Sequence, residues 1–258
     1  MVSGPMPIRL YLFAFALLLG LAFAGRPAHA AVDNYDSCLK LVESNPDRGL
    51  DEAQAWADEG GGVPARHCAD LALKQLGRYA QAAAALDTLA RDRGAGDAAT
   101  RAEILSQAGN TWLLQHDAQK AYNSFTAALE LQPGNRDILI DRARAAALGE
   151  DYNAAAKDLD RVLAKAPNDI DALILRSNTR RALGDLPGAK TDSDLAIAKG
   201  ATVPDAWIEH GIVRYFLGDK AGAQSDWRMA LKLGPDTKAG LDAQALLERE
   251  GGAVKTTP

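Results

Sequence analysis

The chain has 258 residues, of which 47% are hydrophobic but only 6% aromatic, with two cysteines. That mixture excludes a collagen, a disulfide-dense miniprotein and a long disordered tail. Alanine accounts for 51 residues, which favours closely packed helices over strands, so an all-α protein is expected. The net charge of -5 comes with no basic cluster, and nucleic acid is not an expected partner.

In chain order, a short, weakly basic start leads into the apolar run LYLFAFALLLGLAFA from Leu10 to Ala24, and Ala28-His29-Ala30 follow. This is the order of a secretory signal peptide, with cleavage expected between Ala30 and Ala31 and a periplasmic or secreted product. Fifteen residues fall short of the roughly 20 that a spanning helix requires, so no membrane insertion is expected after cleavage. Ala31 stands where a lipid-anchored protein carries cysteine. The processed chain would have 228 residues and a charge of 27 minus 34, or -7.

Export changes how the cysteines are read, since thiols tend to pair in an oxidising compartment. Cys38 and Cys68 are the candidates for a disulfide. The alternatives are two buried thiols, or a redox or metal site that would have to do without Cys-x-x-Cys.

From residue 102 onward the sequence aligns with itself every 34 residues, giving blocks 102–135, 136–169, 170–203 and 204–237. One column holds Ala121, Ala155, Ala189 and Ala223; another holds Gly109, Ala143, Ser177 and Gly211. Large apolar residues recur as Leu105, Leu139, Leu173 and Trp207, while Pro133, Pro167 and Pro235 share a column with Ala201. In a helix-turn-helix unit the small residues at positions 8 and 20 let two helices approach to about 8–10 Å. Gly184 and Gly218 can take the positive φ that ends the first helix, and the prolines stop the second.

These columns resemble the tetratricopeptide repeat, whose period is 34. The resemblance implies a right-handed α-solenoid with terminal capping helices. Leu76, Gly77, Tyr79, Ala82 and Leu86 extend it to a divergent repeat over 63–101, with Asp70 at its eighth position and 97–101 as an insertion. Residues 31–62 read as a degenerate helical cap ending in a flexible Gly60-Gly61-Gly62 joint. In that frame Cys38 and Cys68 lie on the first helices of neighbouring repeats. A C-terminal capping helix is expected over 238–250, covering the array with Leu241, Ala245 and Leu246, and then a disordered tail over 251–258.

In this family the first helix of each repeat lines a concave groove, and positions 2, 5, 9 and 12 commonly touch a bound peptide. By resemblance, Asn110, Arg144, Asn178 and Ile212 occupy position 9, while Ser106, Ile140, Ile174 and Ile208 occupy position 5. The groove candidates are Asn110, Ile140, Arg144, Ile174, Asn178, Ile208 and Tyr215. The competing reading makes the isoleucines core and the polar residues solvated surface. The acids at position 2, Glu103, Asp137, Asp171 and Asp205, suit the positive end of a helix dipole. The carboxylate clamp of chaperone-binding members is not matched, because Ser106, Asp141, Asp171 and Leu175 replace its residues.

The histidines left after processing, His67, His116 and His210, have no metal-ligand spacing, and the sequence lacks a phosphate-binding glycine loop and a Gly-x-Ser-x-Gly elbow. No catalytic residue, cofactor or metal is expected. The leading expectation is an adaptor that binds a protein or peptide partner. The alternatives are a subunit of an envelope assembly or homo-oligomer, and an unrecognised hydrolase.

Overall fold

The computed structural model describes Met1 and residues 32–251. The expected signal segment and the tail from residue 252 lie outside the described residues. Within them the chain forms thirteen α-helices and no strand: α1 (Tyr35–Ser44), α2 (Pro46–Trp56), α3 (Gly62–Gln75), α4 (Tyr79–Leu89), α5 (Ala98–Leu114), α6 (Ala118–Leu131), α7 (Arg136–Leu148), α8 (Tyr152–Lys165), α9 (Ile170–Ala182), α10 (Leu186–Lys199), α11 (Pro204–Phe216), α12 (Lys220–Leu233) and α13 (Lys238–Gly251). Each helix packs on the next in order, so the chain is an α-solenoid of helix pairs closed by α13.

Local chemistry sets the boundaries. Asp117, Asp151, Asp185 and Asp219 recur at the 34-residue spacing and cap α6, α8, α10 and α12 by accepting from the backbone N–H three residues on. Asn135 and Asp169 do the same for α7 and α9. The expected insertion is helical, because Asp97 caps α5 one turn early and residues 98–101 extend that helix. The expected Gly60-Gly61-Gly62 joint is a defined kink. Gly60 and Gly62 have φ of 97° and 61°, and a Cβ on Gly61 would lie 2.6 Å from the Trp56 ring.

Inside each pair, volume is exchanged between position 8 and position 24. Gly109 faces Phe125 and Gly211 faces Trp227, with an added Cβ falling 2.7 Å and 2.5 Å from those rings. Where position 8 is Ala143 or Ser177, position 24 shrinks to Leu159 or Ser193. All eight residues are buried. Such matching keeps the core close-packed although the side chains differ from pair to pair.

A polar ladder joins the pairs. Arg142 donates Nε and Nη2 to Asp158 at 2.7 Å each, and Nη1 to Thr126 of the preceding pair at 3.2 Å. One repeat later Arg176 donates to Asp192 at 2.9 and 2.8 Å and to Asp160 at 2.7 Å. In the last repeat His210 faces Asp226 at 2.7 Å and Asp194 at 3.0 Å. Position 7 therefore holds position 23 of its own repeat and position 25 of the one before.

The terminal helix departs from expectation in phase. Ala239, Ala243 and Leu247 are buried against α11 and α12 and Leu246 is partly buried, whereas Leu241 is 60% exposed and Ala245 also faces out. The buried face follows the four-residue step from Ala239, which the side-chain pattern of this alanine-rich segment did not distinguish.

His116 and Glu150 occupy the left-handed turn position with φ of 61° and 62°, where the other pairs have Gly77, Gly184 and Gly218. His116→Gly and Glu150→Gly should each stabilise by about 0.5–1 kcal/mol, read as a higher melting temperature by circular dichroism. Asp158→Ala should cost about 3 kcal/mol by stranding Arg142 in a largely buried site. Hydrogen exchange should show the loss centred on α7 and α8.

Candidate functional site

Successive odd-numbered helices touch one another along most of the array, whereas contact between successive even-numbered helices is slight or absent. The odd helices therefore form the more closely spaced layer, and their outer face is the surface that the family resemblance assigns to ligands.

At its N-terminal end this face holds two cavities. One, about 400 Å³, lies between α1, α3 and α5 and is walled by Val63, Pro64, Ala95 and Ile104. Tyr35, His67 and Gln107 form a chain across it: the Tyr35 hydroxyl is 2.6 Å from His67 Nδ1, and His67 Nε2 is 2.7 Å from Gln107 Oε1. An amide oxygen only accepts, so Nε2 carries the hydrogen, and in the neutral ring Nδ1 accepts from the phenol. Burial, with the Glu103 and Asp36 carboxylates adding to it, raises the Tyr35 pKa and keeps the hydroxyl protonated. Both hydrogens of the phenol and the imidazole are used within the chain, which leaves the Tyr35 oxygen as an acceptor and the Gln107 amide nitrogen as a donor, each held in a fixed place.

The second cavity, about 390 Å³, lies between α5 and the start of α7 and includes Asp97, Ser106, Asn135 and Asp137. Thr100 and Glu103 line both cavities. Glu103 is exposed and makes no hydrogen bond or ion pair with a described residue. Of the other position-2 acids, Asp137 and Asp171 are both held by Arg136, at 2.7 and 2.8 Å. An apolar recess thus adjoins an acidic one, with an unengaged carboxylate between them.

The residues singled out from the sequence do not form one site. Asn110 Nδ2 donates to Asp141 at 3.2 Å, and Arg144 binds the same carboxylate at 2.8 Å. Glu209 accepts from Ser177 at 3.0 Å and lies beside Asn178, whose amide helps to offset the rise that burial imposes on its pKa. The acid at position 6 of one repeat therefore meets position 9 of the repeat before it, and both asparagines act as joints between repeats. Leu175 stands at that acid's place opposite Arg144, which turns back to Asp141 and leaves its side chain about half exposed. Ile140, expected as a possible groove contact, is 2% exposed and belongs to the core. Ile174 is partly buried against the central cluster, and Ile208, Ile212 and Tyr215 pack in the C-terminal cluster with Trp227 and Leu247.

Cys38 and Cys68 are joined by a disulfide that ties α1 to α3 across 30 residues of sequence. Among the described residues no group of three or more potential ligands is placed to hold a metal ion, and no helix is long and apolar enough to cross a membrane.

The tyrosine, histidine and glutamine of the apolar cavity were not anticipated. Tyr35 and His67 lie in the two irregular N-terminal repeats, where no column guides the eye, and Gln107 in the first regular one. The ladder did leave a signal, the 34-residue recurrence of Asp158, Asp192 and Asp226.

One further carboxylate stands out. Burial pushes Asp70 up to about 7, opposed only partly by Arg66. A folded-state pKa above that of the unfolded chain means that folding favours the protonated form, so stability falls as pH rises from about 4 through 7. Asp70→Asn should therefore melt higher than the native chain at pH 8, by on the order of 2 kcal/mol, and the difference should shrink towards pH 5 in thermal denaturation.

Residues 113–178 match the family described as tetratricopeptide repeat. No curated protein sequence matches the chain. Among solved structures, a tetratricopeptide repeat protein from Parabacteroides merdae ATCC 43184 superposes with a TM-score of 0.59 at 14% identity, covering 84% of this chain and 85% of that one. MamA from Desulfovibrio magneticus RS-1, residues 41 to the end, gives 0.57 at 18% identity over 68% of this chain and 97% of its own. YrrB, described as a TPR protein with an unusual peptide-binding site, gives 0.51 at 18% identity over 74% and 96%. At these identities the likeness is one of fold. Residues 113–178 are thus tetratricopeptide-repeat sequence, and the described chain has the α-solenoid fold of tetratricopeptide repeat proteins.

Proposed function

We propose that the chain is an exported, non-enzymatic adaptor that holds an extended segment of a partner protein along the odd-helix face. The reading is carried by the paired cavities that share Thr100 and Glu103, one apolar with a fixed polar chain across it and one acidic. A segment with an apolar side chain beside a cationic one is complementary to that pair. Export is supported by the apolar N-terminal run and agrees with a disulfide, which persists in oxidising compartments. YrrB is described as having a peptide-binding site, and a similar use of this fold is part of the proposal.

A second reading is an assembly subunit, favoured by a row of exposed apolar residues at the ends of α5, α7, α9 and α11: Leu114, Leu148, Leu183, Phe216 and Leu217. Concentration-dependent oligomers that Leu148→Ser disperses would favour it over the adaptor.

The adaptor is tested by placing a photo-crosslinking residue at Ser106 on the odd-helix face and, as control, at the exposed Lys157 of α8, in cells that produce the full sequence. Adducts at 106 that Glu103→Lys reduces about tenfold, a loss of roughly 1.4 kcal/mol, together with an Ala31 N-terminus on the purified protein, are expected. Equal adducts at both sites, or adducts unchanged by Glu103→Lys, overturn the groove assignment, and an intact Met1 overturns export.

A further inference from the structure

Away from the odd-helix face, α2, α3 and α4 enclose a recess of about 450 Å³ walled by Ala69, Ala84, Ala85 and Leu89. Counting back through the repeats and the five-residue insertion, Ala69 and Ala85 stand at the positions that Arg142 and Asp158 fill in the ladder. The space left by two long side chains is open here. Asp70 lines it, 6% exposed, and makes no hydrogen bond or ion pair with any described residue.

An unpaired carboxylate in such a setting is costly, and a cation that reaches it recovers much of that cost. Nearby Arg66 does not serve, because its guanidinium is engaged with Asp92 at 2.6 Å. Besides Asp70 the side chains lining the recess offer two acceptors, the Gln54 amide oxygen and the Thr88 hydroxyl, whose hydrogen goes to the Ala84 carbonyl at 2.9 Å. A guanidinium with five donors would leave several unmatched, whereas a compact ammonium on an aliphatic stem suits one carboxylate and alanine walls. We infer that this recess binds a primary alkylammonium group, with the chain length of a lysine side chain, through Asp70. The site uses α2 and α4 instead of α1 and α5, so it stands or falls independently of the proposed partner groove.

The test titrates Nα-acetyl-lysine methylamide and n-butylammonium into the purified protein and follows alanine methyl resonances, with 1-butanol as the uncharged control. Saturable shifts at Ala69, Ala84 and Ala85 are expected with the two amines but not the alcohol, weakened at least about tenfold in Asp70→Asn. Tighter binding of the lysine derivative assigns the ammonium to a partner polypeptide, and tighter binding of butylammonium assigns it to a free amine. The variant Ala69→Arg with Ala85→Asp rebuilds the ladder pair, fills the recess and should abolish the shifts while remaining folded. No shift with either amine, equal affinity in Asp70→Asn, or an equal response to 1-butanol overturns the inference, the last two outcomes marking a hydrated carboxylate beside a nonspecific apolar hollow.

Discussion

The polar side chain at position 7 is what sets one helix pair on the next. Alanine dominates the contacts between helices, and an alanine surface is smooth enough that a neighbouring helix could settle in more than one register at similar cost. Arg142 and Arg176 remove that freedom, since each must reach an aspartate in its own pair and an acceptor in the pair before it. Taking such charges out of water offsets much of their attraction, so the ladder adds little net stability while penalising misregistered stacking. Apolar burial supplies the energy, and the ladder supplies the geometry.

At the N-terminal end the ladder is missing, and a covalent bond stands in its place. Ala69 and Ala85 cannot pair, but Cys38–Cys68 ties α1 to α3 directly. Closing a loop of that size removes about 3–4 kcal/mol of unfolded-chain entropy in the loop-closure account. The first joint with the regular array is intermediate: Ala108 is too short to reach across, and Asp87 is held by Trp112 at 2.8 Å and Ser124 at 2.8 Å instead. The N-terminal junctions are thus secured by chemistry other than the arginine–aspartate pairs that serve α7 and α9.

The repeat, the helical class and the small-residue contacts were legible because each depends on a residue's size or backbone freedom, and those recur every 34 positions. The asparagines at position 9 were misjudged because a polar residue on an odd helix looks the same whether it faces solvent or an acid in the next repeat. Only the geometry of adjacent repeats shows that Asp141 accepts from Asn110 and that Glu209 lies beside Asn178. Leu241 was placed on the wrong side, and Ile140 was left open between groove and core, for a related reason: between helices this rich in alanine, one apolar residue is a weak guide to which stripe is buried. The apolar cavity escaped notice since Tyr35, His67 and Gln107 come from three helices, two of them in repeats that have lost the pattern.

That division has a functional logic. Regular repeats spend their polar positions on holding one another, which leaves few unengaged donors or acceptors on α7, α9 and α11. The irregular N-terminal pairs are released from the ladder and stapled by the disulfide, so their side chains at equivalent positions can vary without loosening the stack. All three cavities discussed above draw on α3 or α5, next to the junctions where regular pairing fails. In a solenoid whose stability is close to a sum of neighbour contacts, a binding surface is least costly to build where one junction is already secured by other means.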